Sequence, residues 1–195
     1  MRRHLVVFAR APALGRVKSR LAKGIGAAAA LAFYRRTLAR LLRRVGRDRR
    51  WRTVLAMTPD SARSARLWPM RVALRPQGFG DLGARMGRVF RTWEKGPVII
   101  IGADIPDITA AHIQRAFRAL GDADAVFGPA RDGGYWLVGL RRGPKPPDIF
   151  RDVRWSTKHA LADTLANLAG RRVALIDRLD DIDDAAAYQR WRVNA

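Results

Sequence analysis

The sequence predicts an α/β fold: a mostly parallel sheet with helices on both faces, three layers in all. Three observations support this. Short apolar runs bounded by turn residues recur along the chain, and segments with helical periodicity separate most of them. The residues with the most distinctive chemistry stand directly after the runs. In such sheets that is where ligands sit, outside the carboxyl ends of the strands.

The first run, HLVVFA (4–9), is followed by TVLAMT (53–58), RVAL (71–74), PVIIIGAD (97–104), DAVFGP (124–129) and YWLVGL (135–140). Several are apolar at consecutive positions, as strands buried on both faces are. Across 27–46, Leu31, Tyr34, Leu38, Leu41, Leu42 and Val45 return at helical spacing, and Leu82, Met86, Val89, Phe90 and Trp93 do so across 82–93. Segments 109–120 and 157–169 also read as helices, the second closed by Gly170. Asp107 and Thr109 suit the cap of the first of these, and Asp183 or Asp184 the cap of a last helix containing Trp191. The breaker-rich RRGPKPPD (141–148) reads as a loop within a single domain over 1–195.

At 195 residues and 48% apolar content, the chain has the size and composition of one domain with its own core. No run reaches the roughly eighteen apolar residues of a membrane span. The opening MRRHLVVFARAPALG is too brief in its apolar part for a signal-peptide core, so a cytoplasmic setting is expected. The absence of cysteine removes disulfides and thiolate chemistry. The net charge of +21 suits polyanionic partners, from nucleotides to nucleic acid or anionic lipid. It rests on 33 Arg against 5 Lys, with 16 Asp against 1 Glu, and such skew follows as easily from genomic base composition as from a ligand.

After the first run the chain reads FARAPALGRVKSRLA (8–22), which sets Arg10, Arg16, Lys18 and Arg20 around Pro12 and Gly15. Proline fixes the backbone and glycine frees it, so amide N–H groups can turn toward a ligand. Guanidinium forks and a lysine ammonium suit phosphate oxygens. A solvated basic loop is the plain alternative. No glycine precedes Gly15 in the loop, Lys18 stands too far beyond it for a P-loop, and no G-x-G-x-x-G follows the strand. A P-loop ATPase and a dinucleotide-binding dehydrogenase are both disfavoured.

The run PVIIIG leads into Ala103, Asp104, Ile105 and Pro106. Asp104 comes too early to cap the helix TAAHIQRAF and stands where a substrate or metal would be. A hard cation such as Mg²⁺ commonly binds through one or two carboxylates plus substrate phosphates. Five more aspartates, Asp177, Asp180, Asp181, Asp183 and Asp184, crowd DRLDDIDDAAAYQRW. One of them must cap the last helix, and a metal site would need another to turn inward. In GPARDGGYWLVGL (128–140), Asp132 precedes Gly133 and Gly134, which either admit a ligand close to the backbone or make a plain turn.

A rival reading is a basic nucleic-acid-binding protein without catalytic activity. In RRTLARLLRRVGRDRRWR (35–52), Arg36, Arg40, Arg43, Arg44 and Arg47 form a stripe opposite the apolar one. A solvated helix face and a helix lying on anionic lipid are the other readings. Only Trp51 stands among these arginines as a stacking surface. Trp136 and Trp191 fall in strand and helix patterns and read as core. Trp155, in VRWST before a helix capped by Ser156 or Thr157, is the aromatic placed to meet a ligand. His4, His112 and His159 are scattered and make no catalytic or zinc set.

Taken in order, FARAPALGRVKSRLA, QGFGDLGARM (77–86), IGADIPDI (101–108), GPARDGGYWLVGL, VRWST (153–157) and DDIDD resemble a family of small bacterial glycosyltransferase-A-like proteins. These were once grouped as a domain of unknown function and are often called selenodomain-associated transferases; the match spans almost the whole chain. Wider kin include the guanylyltransferases of molybdenum cofactor and of phospholactate. The resemblance implies a nucleotide-diphospho-sugar transferase-like (GT-A) fold. It implies a transferase dependent on Mg²⁺ or Mn²⁺, using a nucleoside triphosphate or nucleotide-sugar and a small-molecule acceptor.

Residue by residue, the resemblance assigns Arg10, Ala11, Pro12, Gly15, Lys18 and Arg20 to the nucleotide, with Gln77 and Gly78 near its base or ribose. Asp104 matches the metal-holding aspartate, and Asp183, or its neighbour Asp181, matches a second carboxylate. Asp132, Gly133, Gly134 and Tyr135 line the acceptor side, joined by Trp155. Lys18, Asp104 and Asp132 are the expected catalytic groups. Two positions depart from the pattern. Pro106 replaces the second acid of the D-x-D pair common in the superfamily, so the metal depends on the distant aspartate. Ser19 replaces the threonine of VKTRL and keeps its hydroxyl.

Overall fold

The computed structural model describes residues 2–62, 72–93, 96–141 and 146–194. Among them, strands β1 (His4–Arg10), β2 (Arg52–Thr58), β3 (Ala73–Pro76), β4 (Val98–Gly102), β5 (Ala125–Pro129), β6 (Tyr135–Leu140) and β7 (Val173–Leu175) form one sheet. The helices are α1 (Ser19–Ile25), α2 (Ala27–Val45), α3 (Leu82–Thr92), α4 (Ala110–Ala119), α5 (Ala160–Ala166) and α6 (Ala185–Asn194). The strand order is β3-β2-β1-β4-β6-β5-β7. All pairings are parallel except those of β6, which runs against both β4 and β5. The link from β5 to β6 is too short for the crossover a parallel pair needs, so the chain simply turns back.

The consecutive apolar residues of β1 and β4 reach both faces of the sheet. Leu5, Val7, Ile99 and Ile101 pack against Leu38, Leu41 and Leu42 of α2 and Ile113 and Phe117 of α4. Val6, Val98 and Ile100 lie in the opposite cluster with Met86, Val89 and Phe90 of α3 and Leu161 and Leu165 of α5. This is the expected three-layer α/β/α arrangement of the nucleotide-diphospho-sugar transferase type. A third cluster, Leu21 of α1, Ala30 and Phe33 of α2, and Ile182, ties the C-terminal segment to the first loop. Here α1 and α6 approach so closely that a β-carbon on Gly24 would collide with that of Ala185.

The structure revises several element boundaries. The strand expected over 71–74 is observed as Ala73–Pro76, and Arg71 lies outside the described residues, as do 142–145 of the breaker-rich loop. The helix expected over 157–169 is only Ala160–Ala166. Ser156 takes φ 60°, and the Thr157 hydroxyl donates to Arg154 O at 2.7 Å, so a turn precedes the helix. Helix α1 and strand β7 have no forerunner in the sequence reading. Each is at most two turns or three residues long and buries too few side chains to show a period.

Candidate functional site

Strands β1 and β4 pair in parallel and end side by side, and the loops beyond them build the site. After β1, Ala11 N–H donates to Thr58 O at 2.8 Å, and the chain turns at Gly15 with φ +70°. Lys18 precedes α1 with φ 50° and ψ 47°, a left-handed conformation that costs a non-glycine residue about 1 kcal/mol. Two charge-assisted bonds offset that cost. Lys18 Nζ donates to Asp104 Oδ2 at 2.8 Å and to Asp183 Oδ1 at 2.6 Å. The lysine side chain is only 4% exposed, whereas Asp104 and Asp183 are 35% and 45% exposed.

Asp181 completes the group: one oxygen from each of Asp104, Asp181 and Asp183 lies within 4.8 Å of the others. Burial, and then the Asp183 charge beside it, pushes the Asp181 carboxyl up to about 7. Asp183 moves the other way. Burial works to raise it, but the Lys18 ammonium, hydrogen bonds from Lys18 and Asp181, and the Arg20 charge together hold the carboxyl below its ordinary value. Burial likewise opposes the Lys18 charge, and the Asp104 and Asp183 carboxylates overcome it, so the ammonium is held more firmly than usual. Three convergent carboxylate oxygens are a donor set for a hard divalent cation. A cationic group, the ammonium, already rests against two of them.

The other aspartates of the C-terminal cluster are engaged elsewhere. Asp177 pairs with Arg115 at 2.8 Å and Asp180 with Arg131 at 2.7 Å. Asp184 caps α6 by accepting from Ala187 N at 2.7 Å, which leaves Asp181 and Asp183 to turn inward. Thr109 caps α4 in a box closed by His112, leaving Asp104 free of that role.

Two cavities adjoin the carboxylates and share Phe8, Leu82, Gly102 and Asp104. One, of about 450 Å³, is basic: Arg10, Arg16, Lys18, Ser19 and Arg20 line it with Tyr34 and Asp183. Tyr34 escaped the sequence reading as a site residue because its spacing marks it only as an apolar position on α2. Its hydroxyl accepts from Arg10 N at 3.0 Å and donates to Arg10 O at 2.9 Å, which fixes the end of β1. Ala11, Pro12 and Gly15 shape the loop without lining this cavity.

The second cavity, of about 260 Å³, is walled by Met86, Tyr135, Trp136 and Trp155, with Asp132 and Asp181 joining Asp104 as its charged groups. Asp132 Oδ1 accepts from Gly134 N at 2.9 Å. Gly133 takes φ +82°, and a β-carbon there would run into the Lys158 carbonyl. Tyr135 shares a hydrogen bond with Thr164 at 3.4 Å and meets Trp155 edge-on. Burial pushes the Tyr135 phenol up, so it stays protonated.

Gln77 and Gly78 line neither cavity. The Gln77 amide is buried and bridges two strands, donating to Ala9 O at 3.0 Å and Ala56 O at 2.9 Å. Its carbonyl accepts from Arg85 Nη1 at 2.9 Å. Gly78 N donates to Asp60 Oδ1 at 3.1 Å.

The stripe on α2 has a setting of its own. Trp51 is buried, its indole donating to Val45 O at 2.9 Å, so it offers no stacking surface. Instead Tyr188 and Trp191 of α6 join Phe33, Arg36, Arg40 and Arg44 around a cleft of about 360 Å³. Trp136 is core as expected, while Trp191 is half-buried against Phe33.

A family described as "Uncharacterized protein conserved in bacteria (DUF2064)" matches residues 41–157. No protein of curated function matches the sequence. Among solved structures, a protein from Desulfovibrio desulfuricans G20, provisionally assigned as a nucleotide-diphospho-sugar transferase, is 28% identical at a TM-score of 0.88, covering 100% of this chain and 88% of that one. CMP:2-keto-3-deoxy-manno-octonic acid synthetase, complexed with CTP, matches at a TM-score of 0.60 and 10% identity, covering 100% of this chain and 98% of that one. Rv0371c of Mycobacterium tuberculosis H37Rv, in complex with manganese, matches at 0.56 and 14% identity over 100% of both chains. At the last two identities the likeness is one of fold. Among the described residues, no helix is long and apolar enough to cross a membrane.

Proposed function

The chain belongs to the DUF2064 family, and on that premise we propose that it is a metal-dependent transferase. It forms one domain over 1–195, draws on an activated nucleotide and passes a group to a small-molecule acceptor. One observation carries the reading. The Lys18 ammonium is held between Asp104 and Asp183 where a basic cavity meets an aromatic one, at the carboxyl ends of β1 and β4. The provisional assignment of the Desulfovibrio protein and the CTP complex of the synthetase support a nucleotide donor. The manganese complex of Rv0371c supports a metal.

In this reading the basic cavity takes the donor. Arg10, Arg16 and Arg20 meet its phosphate oxygens with forked donors. Tyr34 holds the Arg10 backbone in place, and Gln77 presents Arg85 beside it. Asp104, Asp181 and Asp183 would hold Mg²⁺ or Mn²⁺, which when bound neutralises charge on the phosphates. Lys18, released from the carboxylates, turns its N–H groups to the departing phosphate oxygens, where charge develops. Asp132 faces the aromatic cavity and takes the proton of the attacking hydroxyl or amine.

The test is the melting temperature against the common nucleoside triphosphates and UDP- and GDP-sugars, with and without Mn²⁺. A metal-dependent rise for a nucleotide, abolished by Asp104→Ala in a variant that still folds, is expected. The absence of any nucleotide response overturns the reading. A second reading, binding of nucleic acid without catalysis, is favoured by the cleft that joins Arg36, Arg40 and Arg44 to Tyr188 and Trp191. A rise in melting temperature with single-stranded DNA alone would favour it.

A further inference from the structure

We propose that the acceptor carries no phosphate or carboxylate: it is a neutral or cationic molecule with a flat, apolar body that presents a hydroxyl or amine. This rests on the transferase reading above and concerns the aromatic cavity alone.

The chain has 38 Lys and Arg residues, yet among the described residues none lines that cavity. Its charged groups are Asp104, Asp132 and Asp181, all acidic. Two nearby arginines are committed elsewhere. Arg154 holds Asp163 at 2.8 Å and Arg131 holds Asp180 at 2.7 Å. An anion entering the cavity would meet carboxyl groups, and the ammonium that pairs with Asp104, Lys18, lines the basic cavity instead, an arrangement that rejects an anionic ligand by repulsion. A divalent cation on Asp104 and Asp181 would relieve two of those charges and leave Asp132. The remaining walls are largely apolar and aromatic, with the Tyr135 ring edge-on to Trp155 at 6.4 Å. Tyr135 and Trp155 thus offer stacking surface to a ring or a sugar face.

The chemistry of transfer follows from this charge pattern. Nucleotidyl transfer onto a phosphate needs an anionic acceptor beside an anionic donor, and such acceptors are held by cations. Here, among the described residues that line the two cavities, the cations stand on one side only. A neutral nucleophile fits glycosyl transfer. The acceptor oxygen or nitrogen forms a bond to the anomeric carbon of a nucleotide-sugar while the carbon–oxygen bond to the diphosphate breaks. The bonding pair leaves with the nucleoside diphosphate, and the acceptor proton passes to the Asp132 carboxylate.

The test measures acceptor binding directly on the full chain, with Mn²⁺ and without turnover, using matched probes. Tyramine and phenyl β-glucoside are compared with phenyl phosphate and 4-hydroxybenzoate by calorimetry. The neutral and cationic probes are expected to bind about ten-fold or more tighter than the anionic ones, and Trp155→Ala to remove that binding. Asp132→Asn is expected to narrow the difference. Equal or tighter binding of the phosphate or carboxylate probes overturns the proposal, as does no binding of the neutral and cationic ones. The nucleotide melting-temperature panel is read separately. Its failure would sink the transferase reading whatever the probes show, and the probe comparison can fail while the nucleotide panel succeeds.

Discussion

The two cavities that meet at Asp104 are chemical opposites. The basic one gathers Arg10, Arg16, Lys18 and Arg20, whereas the aromatic one has no cation among the described residues that line it. Arginine supplied by base composition alone would have no reason to avoid one cavity and fill its neighbour. The contrast therefore sets the cations that line a cavity apart from the rest of the +21 charge. It also places Lys18 and the three carboxylates where the two cavities meet.

Lys18 is the strongest point at which to break the comparison. Lys18→Ala removes charged hydrogen bonds and should weaken nucleotide binding by about 100-fold, or roughly 3 kcal/mol. The same change takes a competing cation from Asp104 and Asp183, so Mn²⁺ alone should bind more tightly. Calorimetry of the two ligands separates these opposite shifts, and a loss of both would mean that Lys18 only maintains the fold.

On the aromatic side, Gly133→Ala combines a positive φ with a β-carbon driven into the Lys158 carbonyl. It should cost about 2–3 kcal/mol in denaturant unfolding. An unchanged midpoint would show that the Asp132 turn is free to move.

Asp181 adds a pH dependence. Its folded value of about 7 lies above the ordinary 3.8, so the fold favours the protonated carboxyl. In the unbound protein this contribution to stability is complete below the unfolded value and is lost as pH rises toward about 7. A metal binds the carboxylate form and must expel the proton. Mn²⁺ affinity should therefore rise by up to about ten-fold per pH unit below about pH 7 and level off above it, with proton release falling to match. A flat profile across that window would remove Asp181 from the metal set. The smallest effect is expected from Tyr34→Phe, which deletes the hydroxyl bridging Arg10 N and O and should cost about 1 kcal/mol with a modest loss of nucleotide affinity.

The basic loop and the lone acid after PVIIIG were legible because each combines a strand end with a residue type whose chemistry is narrow. The second carboxylate, Asp183 or its neighbour Asp181, was named only by the family resemblance. Nothing local distinguishes Asp181 and Asp183 from Asp177, Asp180 and Asp184. Their sorting depends on Arg115, Arg131 and the start of α6. The residues around the arginine stripe were misjudged for a similar reason. Trp51 is near it in sequence and buried in space, while Tyr188 and Trp191 arrive from the far end of the chain. Gln77 was assigned to the nucleotide through the family resemblance alone, and no local pattern showed that its amide crosses from β1 to β2.

By itself, then, the sequence determined the layered α/β architecture, the family and the presence of a cationic loop beside an acidic strand end. Periodicity and side-chain chemistry act over a few residues and survive without the fold. Only the tertiary structure decided that Lys18 faces Asp183, 165 residues away, and that no described Lys or Arg lines the aromatic cavity. The first of these depends on Ile182 burying itself among Leu21, Ala30 and Phe33. That apolar contact carries no signal of its purpose, yet it swings the two aspartates beside it onto the ends of β1 and β4.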